Sequence, residues 1–186
     1  VVYTDGSFTR GAENAKAGFA VAMYRVDEND ELSPLQAHSG RVTTNVRSPH
    51  FRGAGTHSNN SGELAGLAHA IEILLKKKGP VQFRVDSTYA MNVATGKFRP
   101  PRVGKGNWQL ATWLRRLYRQ LVNDNGRNNV SMVHVRAHAG EMGNEVADIL
   151  AKEGAKFTDA EVTAHNYKYM NAIATRQPEE AEPQHR

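Results

Sequence analysis

The chain has 186 residues, of which 39% are hydrophobic and 23% charged, and it contains no cysteine. This composition excludes a disordered chain, and because no apolar run approaches the ~20 residues of a membrane helix, it also excludes a membrane-spanning protein. The absence of cysteine excludes a disulfide framework, a thiolate metal site and a cysteine nucleophile. We therefore expect a soluble, intracellular globular protein in which any metal is bound by oxygen or imidazole.

The positive charge is concentrated in one part of the chain. The formal net charge is +5, but residues 157–186 sum to −2, so residues 1–156 carry +7. A basic globular body favours a polyanionic partner such as nucleic acid, although ordinary solubility charge is an alternative.

The first third of the chain predicts three antiparallel strands. Residues 1–6 are β-branched and aromatic and end at a glycine, while residues 17–26 and 35–44 alternate loosely around an acidic turn. Because the first strand is already under way at Val1, we expect the chain to be a domain of a longer protein or a processed product.

After residue 44 the hydrophobic pattern changes from strand-like alternation to a loop and then to helical spacing. Residues 45–57 form a long, glycine-rich, basic loop, which predicts a functional or disordered segment. An apolar stripe from Leu64 to Leu75 then predicts a helix that ends before Gly79-Pro80. A fourth strand over residues 81–86 and a short helix over residues 87–95 follow.

The remaining pattern completes an α/β fold. After a proline-broken loop over residues 96–106, a helix is predicted from about Asn107 to Val122, a fifth strand over residues 130–137 and a last helix over residues 143–156. The predicted buried stripe of the second long helix consists of Leu110, Trp113, Leu114, Leu117 and Leu121. We expect a mixed five-stranded sheet, antiparallel over the first three strands and parallel afterward, flanked by helices.

Beyond the body, residues 157–186 form a polar extension. Tyr167, Tyr169, Met170 and Ile173 predict a short helix, and from about residue 177 the composition predicts disorder.

Four acidic residues stand at strand ends or in helices within this basic body. Asp5 ends the first strand, Asp86 ends the fourth, Glu63 lies in the first turn of the first long helix, and Asp148 lies in the last helix. If strands one and four are parallel neighbours, Asp5 and Asp86 emerge at the same end of the sheet. Converging carboxylates raise one another's pKa unless a cation binds, and an oxygen-only site favours Mg²⁺ or Mn²⁺. Taken singly, each is more often a turn former or a helix-dipole partner.

Several motifs in this sequence resemble those of the type 1 ribonuclease H family. The matching segments are Tyr3-Thr4-Asp5-Gly6-Ser7, Asn59-Asn60-Ser61-Gly62-Glu63-Leu64, Asp86-Ser87-Thr88-Tyr89, His134-Val135-Arg136-Ala137-His138-Ala139-Gly140 and residues 143–155. They occur in the family's order and spacing, and the resemblance covers residues 1–156 as a catalytic domain. It implies a ribonuclease H-like fold and cleavage of the RNA strand of RNA–DNA hybrids by two Mg²⁺ ions, for which Mn²⁺ can substitute. The products would carry 5′-phosphate and 3′-hydroxyl ends.

The resemblance also implies roles for the acidic residues and the loop histidine. Asp5 would bridge both ions, Glu63 and Asp86 would complete one, and Asp148 would complete the other. His138 would assist proton transfer or product departure. We interpret His134 as a packing residue.

A further set of residues is expected to contact substrate. By resemblance, Asn59 and Asn60 read the 2′-hydroxyl that distinguishes RNA from DNA. The same resemblance places Gly6, Ser7 and Ser87 near the RNA backbone and Ser58 and Asn107 at a DNA phosphate. For residues 58–61 the alternative is a helix-capping turn.

Three arginines are interpreted as phosphate contacts. Arg115, Arg116 and Arg119 are predicted to share the helix face opposite the leucine stripe; a merely solvated face is the alternative. Loop 45–57 looks like an insertion relative to the family, and the short loop 96–106 replaces the basic protrusion that many members carry.

Two other classes of function compete with this prediction. One is a non-catalytic nucleic-acid-binding module of the same fold, which usually lacks a metal carboxylate; the other is a transposase- or integrase-like enzyme acting on DNA. Both a stand-alone housekeeping enzyme and a reverse-transcribing element fit as the parent, so another domain of a longer chain, hybrid-binding or reverse-transcriptase, is an expected partner.

Overall fold

The computed structural model describes residues 1–10, 16–158 and 161–176. In these ranges the elements are β1 (Val2–Thr9), β2 (Lys16–Val26), β3 (Leu32–Arg41), α1 (Asn59–Leu74), β4 (Val81–Val85), α2 (Thr88–Thr95), α3 (Trp108–Asn125), β5 (Val130–His134), α4 (Met142–Ala155), β6 (Val162–Asn166) and α5 (Tyr167–Ala174). None of the helices in these ranges is both long and apolar enough to cross a membrane.

The strands form one mixed sheet in the order β5-β4-β1-β2-β3-β6. The pairs β1–β2, β2–β3 and β3–β6 are antiparallel, whereas β1–β4 and β4–β5 are parallel. The predicted mixed α/β architecture is therefore confirmed.

The prediction of five strands was wrong by one. β6 adds to the free edge of β3, with Val162 opposite Gly40 and Asn166 opposite Gln36. Its five residues are mostly exposed, so they have no apolar alternation to detect. The strand forms because the edge of β3 offers unpaired backbone groups. The polar extension thus contributes β6 and the predicted short helix, α5, while the residues from 177 onward lie outside the described ranges.

The sheet has an apolar layer on each face. On one face, α1, α2 and α3 cover a core that includes Phe19, Leu64 and Phe83. On the other, α4 and α5 cover a smaller core that includes Tyr3 and Leu150.

Trp113 does not belong to the buried stripe of α3 as predicted. Its side chain is among the exposed large hydrophobic ones, at 37% exposure. Its indole Nε1 donates to Glu72 Oε1 on α1 at 3.2 Å, because the ring lies across the rim between the two helices rather than in the core.

Close backbone approach at two glycines sets the position of α1. A Cβ atom on Gly6 would overlap the backbone of Gly62 and Glu63, and one on Gly62 would overlap the carbonyl oxygen of Gly18. Because glycine permits this contact, the first turns of α1 lie directly against β1. Glu63 is thereby placed beside the strand that carries Asp5.

Candidate active site

Strand register brings the first two carboxylates together. β1 pairs with β4 from Val2 opposite Phe83 to Thr4 opposite Val85, so the next residues of the two strands are Asp5 and Asp86. The predicted parallel pairing is confirmed. Asp5 is not at a strand end, however, because β1 continues to Thr9 along β2 after β4 has stopped.

Glu63 on α1 supplies the third carboxylate. The sequence predicted Glu63 in the first turn of the helix, whereas it is the fifth residue of α1. Carboxylate oxygens of Asp5, Glu63 and Asp86 lie within 4.8 Å of one another. Asp5 Oδ1 accepts the backbone N–H of Gly6 at 2.8 Å. Glu63 Oε2 and Asp86 Oδ1 are buried and have no hydrogen-bond partner in the described part of the chain.

Burial and mutual repulsion disfavour the charged forms of this cluster. Burial, followed by the charge on Asp86, raises the pKa of Asp5 well above its usual range. Burial, followed by the charge on Asp5, does the same to the pKa of Glu63. The pKa of Asp86 is raised by burial and then by the charge on Asp148. Clustered hard oxygen ligands with unpartnered lone pairs fit a divalent cation, which would offset their repulsion.

Asp148 lies on the wall of the site and not within the cluster. It is in the middle of α4 and lines the same cavity, of about 400 Å³, as the other three carboxylates. Its Oδ2 accepts from Lys152 Nζ at 2.9 Å. The structure therefore brings three of the four predicted carboxylates together and places the fourth beside them, paired with a lysine.

The loop after β5 carries His138 to the mouth of the cavity. His138 is exposed and has a φ of 55°, a left-handed conformation that is rare for residues other than glycine. The end of this loop is tied to the sheet through Glu141, whose Oε2 accepts from the Tyr3 hydroxyl at 2.8 Å and from Arg84 Nη1 at 3.3 Å.

The packing role predicted for His134 was wrong. Its side chain is exposed because β5 is an edge strand, and its Nε2 donates to the backbone carbonyl of Asp86 at 3.2 Å.

Of the predicted substrate residues, Gly6, Asn59, Asn60 and Ser87 line the cavity, and Ser7 does not. Ser58 and Asn107 have structural partners instead of a place in the cavity wall. Ser58 caps α1 in a reciprocal pair with Ser61, as the capping alternative expected. Asn107 is buried, and its Oδ1 accepts the backbone N–H groups of Gly55 and Thr56.

As predicted, Arg115, Arg116 and Arg119 lie on the side of α3 away from its buried leucines, but they line two different cavities. Arg115 and Arg119 line one cavity of about 550 Å³ together with Arg127, whereas Arg116 lines a different one beside Trp113. Successive residues of a helix point about 100° apart, so adjacent Arg115 and Arg116 diverge.

The sequence analysis missed Asn144 and Glu145, which line the cavity, as do Thr88, Tyr89 and Ala137. Asn144 is 4% exposed, and its Oδ1 has no partner among the described residues. Helical spacing could have identified both residues, because Asn144 and Glu145 lie four and three positions before Asp148 and therefore share its face of α4.

Comparisons with known proteins agree with this geometry. The RNase H family model matches residues 1–156. Ribonuclease H of Schizosaccharomyces pombe is 29% identical over 83% of the chain, and that of Saccharomyces cerevisiae 26% identical over 83%. The chain spans about half of these two relatives, 52% and 45% of their length.

Solved structures show the same fold. LC9-RNase H1, a type 1 RNase H with the type 2 active-site motif, superposes with a TM-score of 0.63 at 20% identity, covering 94% of this chain and 80% of that one. LC11-RNase H1 in complex with an RNA/DNA hybrid gives a TM-score of 0.54 at 21% identity, covering 83% and 94%. The prototype foamy virus protease-reverse transcriptase gives 0.62 at 20% identity over 85% of this chain and 21% of that one. With its family match over residues 1–156 and the carboxylates gathered at one end of its sheet, this chain belongs to the RNase H family.

Proposed function

We propose that this chain is an endonuclease that hydrolyses the RNA strand of RNA–DNA hybrids in a reaction dependent on two divalent cations. The observation that supports this most is the group formed by Asp5, Glu63 and Asp86, whose oxygens lie within 4.8 Å and in part lack partners among the described residues. The relatives named ribonuclease H and the neighbour solved with an RNA/DNA hybrid indicate the substrate class.

The four carboxylates have distinct tasks in this proposal. Asp5, whose pKa is raised first by burial and then by the charges of Asp86 and Asp148, would be the ligand shared by two Mg²⁺ ions, for which Mn²⁺ could substitute. Glu63 and Asp86 would help to hold one ion, and Asp148, which now accepts from Lys152, would help to hold the other. When bound, such ions lower the pKa of an attacking water and offset charge on a leaving oxygen.

His138 is suited to moving protons at the leaving 3′ oxygen. Its imidazole is exposed at the cavity and makes no hydrogen bond to other described residues, so either ring nitrogen can exchange protons with the substrate or solvent. An imidazole can both donate and accept a proton, which suits this role. The products are a 5′-phosphate and a 3′-hydroxyl end.

Recognition of RNA depends on the polar residues at the start of α1. Asn59 and Asn60 are exposed and line the cavity, and their amides can both donate to and accept from a 2′-hydroxyl. Gly6, Ser7 and Ser87 approach the RNA backbone.

Contacts to the DNA strand come from residues outside the cavity wall. Asn107 uses its Oδ1 within the protein, so its Nδ2 is the group left to donate to a DNA phosphate beside Ser58. Arg115 and Arg119 bind more distant phosphates from one cavity, and Arg116 binds a phosphate from the neighbouring one. A hybrid-binding or reverse-transcriptase domain of a longer parent chain is the proposed partner, consistent with the share of its relatives that this chain spans.

The test is cleavage of a hybrid with labelled RNA in Mg²⁺ and in EDTA. We expect cuts with Mg²⁺ only, intact duplex DNA, and less than ~1% residual turnover for Asp5→Asn, because a lost metal ligand costs several kcal/mol of transition-state stabilisation. Asp124→Asn makes the same chemical change at an exposed position of α3 and should cleave normally. Equal cleavage of duplex DNA, or an active Asp5→Asn variant, contradicts the proposal.

A further inference from the structure

A second cavity, here called the aromatic cavity, lies where loop 45–57 packs against α1 and α3. It encloses about 540 Å³ and shares no lining residue with the carboxylate site. That volume is within the range of small-molecule sites, about 300–1,000 Å³.

The loop that forms one wall is fastened to the helices. The backbone N–H of Leu110 donates to the carbonyl of Gly53 at 3.2 Å. Arg52, whose side chain is only 13% exposed, donates from Nε and Nη2 to the Glu72 carboxylate at 3.1–3.2 Å and from Nη2 to His69 Nδ1 at 2.7 Å. The cavity is therefore formed before any ligand arrives.

Three large aromatic rings line this cavity beside polar and charged residues. Phe51 projects from the loop, and Trp108 and Trp113 from α3. The indole of Trp113 is held in place by its hydrogen bond to Glu72, which Arg52 in turn holds. A fixed, partly exposed ring loses little conformational entropy when a planar group stacks on it.

The remaining charge in the cavity is positive. Glu72 and Arg52 neutralise each other, whereas Arg116 has no ion-pair partner among the described residues. A ligand complementary to the aromatic rings and to Arg116 has a flat aromatic group with a negative charge beside it.

We propose that the aromatic cavity binds a nucleobase of single-stranded nucleic acid, with Arg116 at the adjacent phosphate. Stacking on aromatic side chains beside a cationic group is the general mode of single-strand binding, and the +7 charge of residues 1–156 favours a polyanion. An acidic peptide would satisfy Arg116 but would not need the aromatic faces. This site goes beyond the proposed hydrolysis, since it requires neither the carboxylates nor a cation.

The chain provides its own reporter of this site. It has two tryptophans, and both line the aromatic cavity. A short oligothymidylate titrated in EDTA should quench tryptophan fluorescence, because a base stacks on the indoles. An abasic oligonucleotide of equal length should bind more weakly without that quenching. Equal quenching by both strands, or tighter binding of a tryptophan-free acidic peptide with the same quenching, overturns the assignment.

Variants separate stacking from charge. Using a labelled oligothymidylate, we expect Trp113→Leu to weaken binding by roughly 5- to 100-fold. Arg116→Gln should flatten the slope of log K against log salt by about 0.7. Arg25→Gln removes the same charge from an exposed position outside both cavities and should change neither quantity measurably. Variants at residues 113 and 116 that bind like the Arg25 variant refute the site. Because the assay contains no Mg²⁺ and scores no cleavage, its failure is distinct from failure of the hydrolysis proposal.

Discussion

Replacing Asp5 by asparagine should stabilise the metal-free protein while removing its response to Mg²⁺. Three carboxylates share the site, and burial and mutual charge raise the pKa values of Asp5, Glu63 and Asp86. A carboxyl whose folded-state pKa is raised contributes stability below its unfolded pKa, about 4, and loses it as pH rises through the folded pKa. In EDTA, the free energy of unfolding should therefore fall from weakly acidic to weakly alkaline pH.

The size of the effect follows from the geometry. Two like charges at 4.8 Å, the upper limit of the separations in this cluster, repel by about 3.5 kcal/mol at an effective dielectric constant of about 20. Protons retained by the cluster relieve part of this repulsion. We therefore expect the free energy of unfolding of the Asp5→Asn variant to exceed that of the unsubstituted protein by about 1–3 kcal/mol near pH 8 in EDTA. Asparagine keeps an oxygen to accept the Gly6 N–H, so that hydrogen bond need not be lost.

Urea unfolding with EDTA or Mg²⁺, near pH 5 and pH 8, measures both effects. At a Mg²⁺ concentration 100 times the Kd for Mg²⁺, the free energy of unfolding of the unsubstituted protein should rise by about 2.7 kcal/mol. That of the variant should rise far less. Asp124→Asn, on the exposed side of α3, controls for a change in net charge. An Asp5→Asn variant that is less stable than the unsubstituted protein in EDTA near pH 8, or that keeps the full Mg²⁺ gain, refutes the reasoning.

Three further outcomes are expected. His138→Ala should slow hybrid cleavage by roughly 10- to 1,000-fold without abolishing it, as for a group that assists proton transfer; an unchanged rate would remove it from the mechanism. A single 2′-deoxy nucleotide placed in the RNA strand should suppress the cut at which Asn59 and Asn60 contact that sugar, and cleavage maps with and without it make the test. The double variant Arg115→Gln and Arg119→Gln should flatten the salt dependence of hybrid binding by about 0.9 per lost contact, raise KM and leave kcat nearly constant; an unchanged slope would mean that these arginines are only solvated.

The sequence alone predicted the order of the main elements because their signals are local. The apolar stripe of α1, the glycine and proline that follow it and the apolar run of β2 each occupy one short window. Residue type also restricted the chemistry, since a cysteine-free chain with carboxylates after parallel strands favours a hard cation. The pairing of β1 with β4, and hence the approach of Asp5 to Asp86, followed from the same order of elements.

Tertiary contacts decided the features that no window of sequence contains. β6 exists because β3 has an edge to pair with, and Asp148 lines the cavity without joining the cluster of the other three carboxylates. The packing of α3 against α1 turns Trp113 toward Glu72 instead of the core. Each depends on contacts between residues far apart in the chain, whose energies local periodicity does not encode, so only the folded structure determines them.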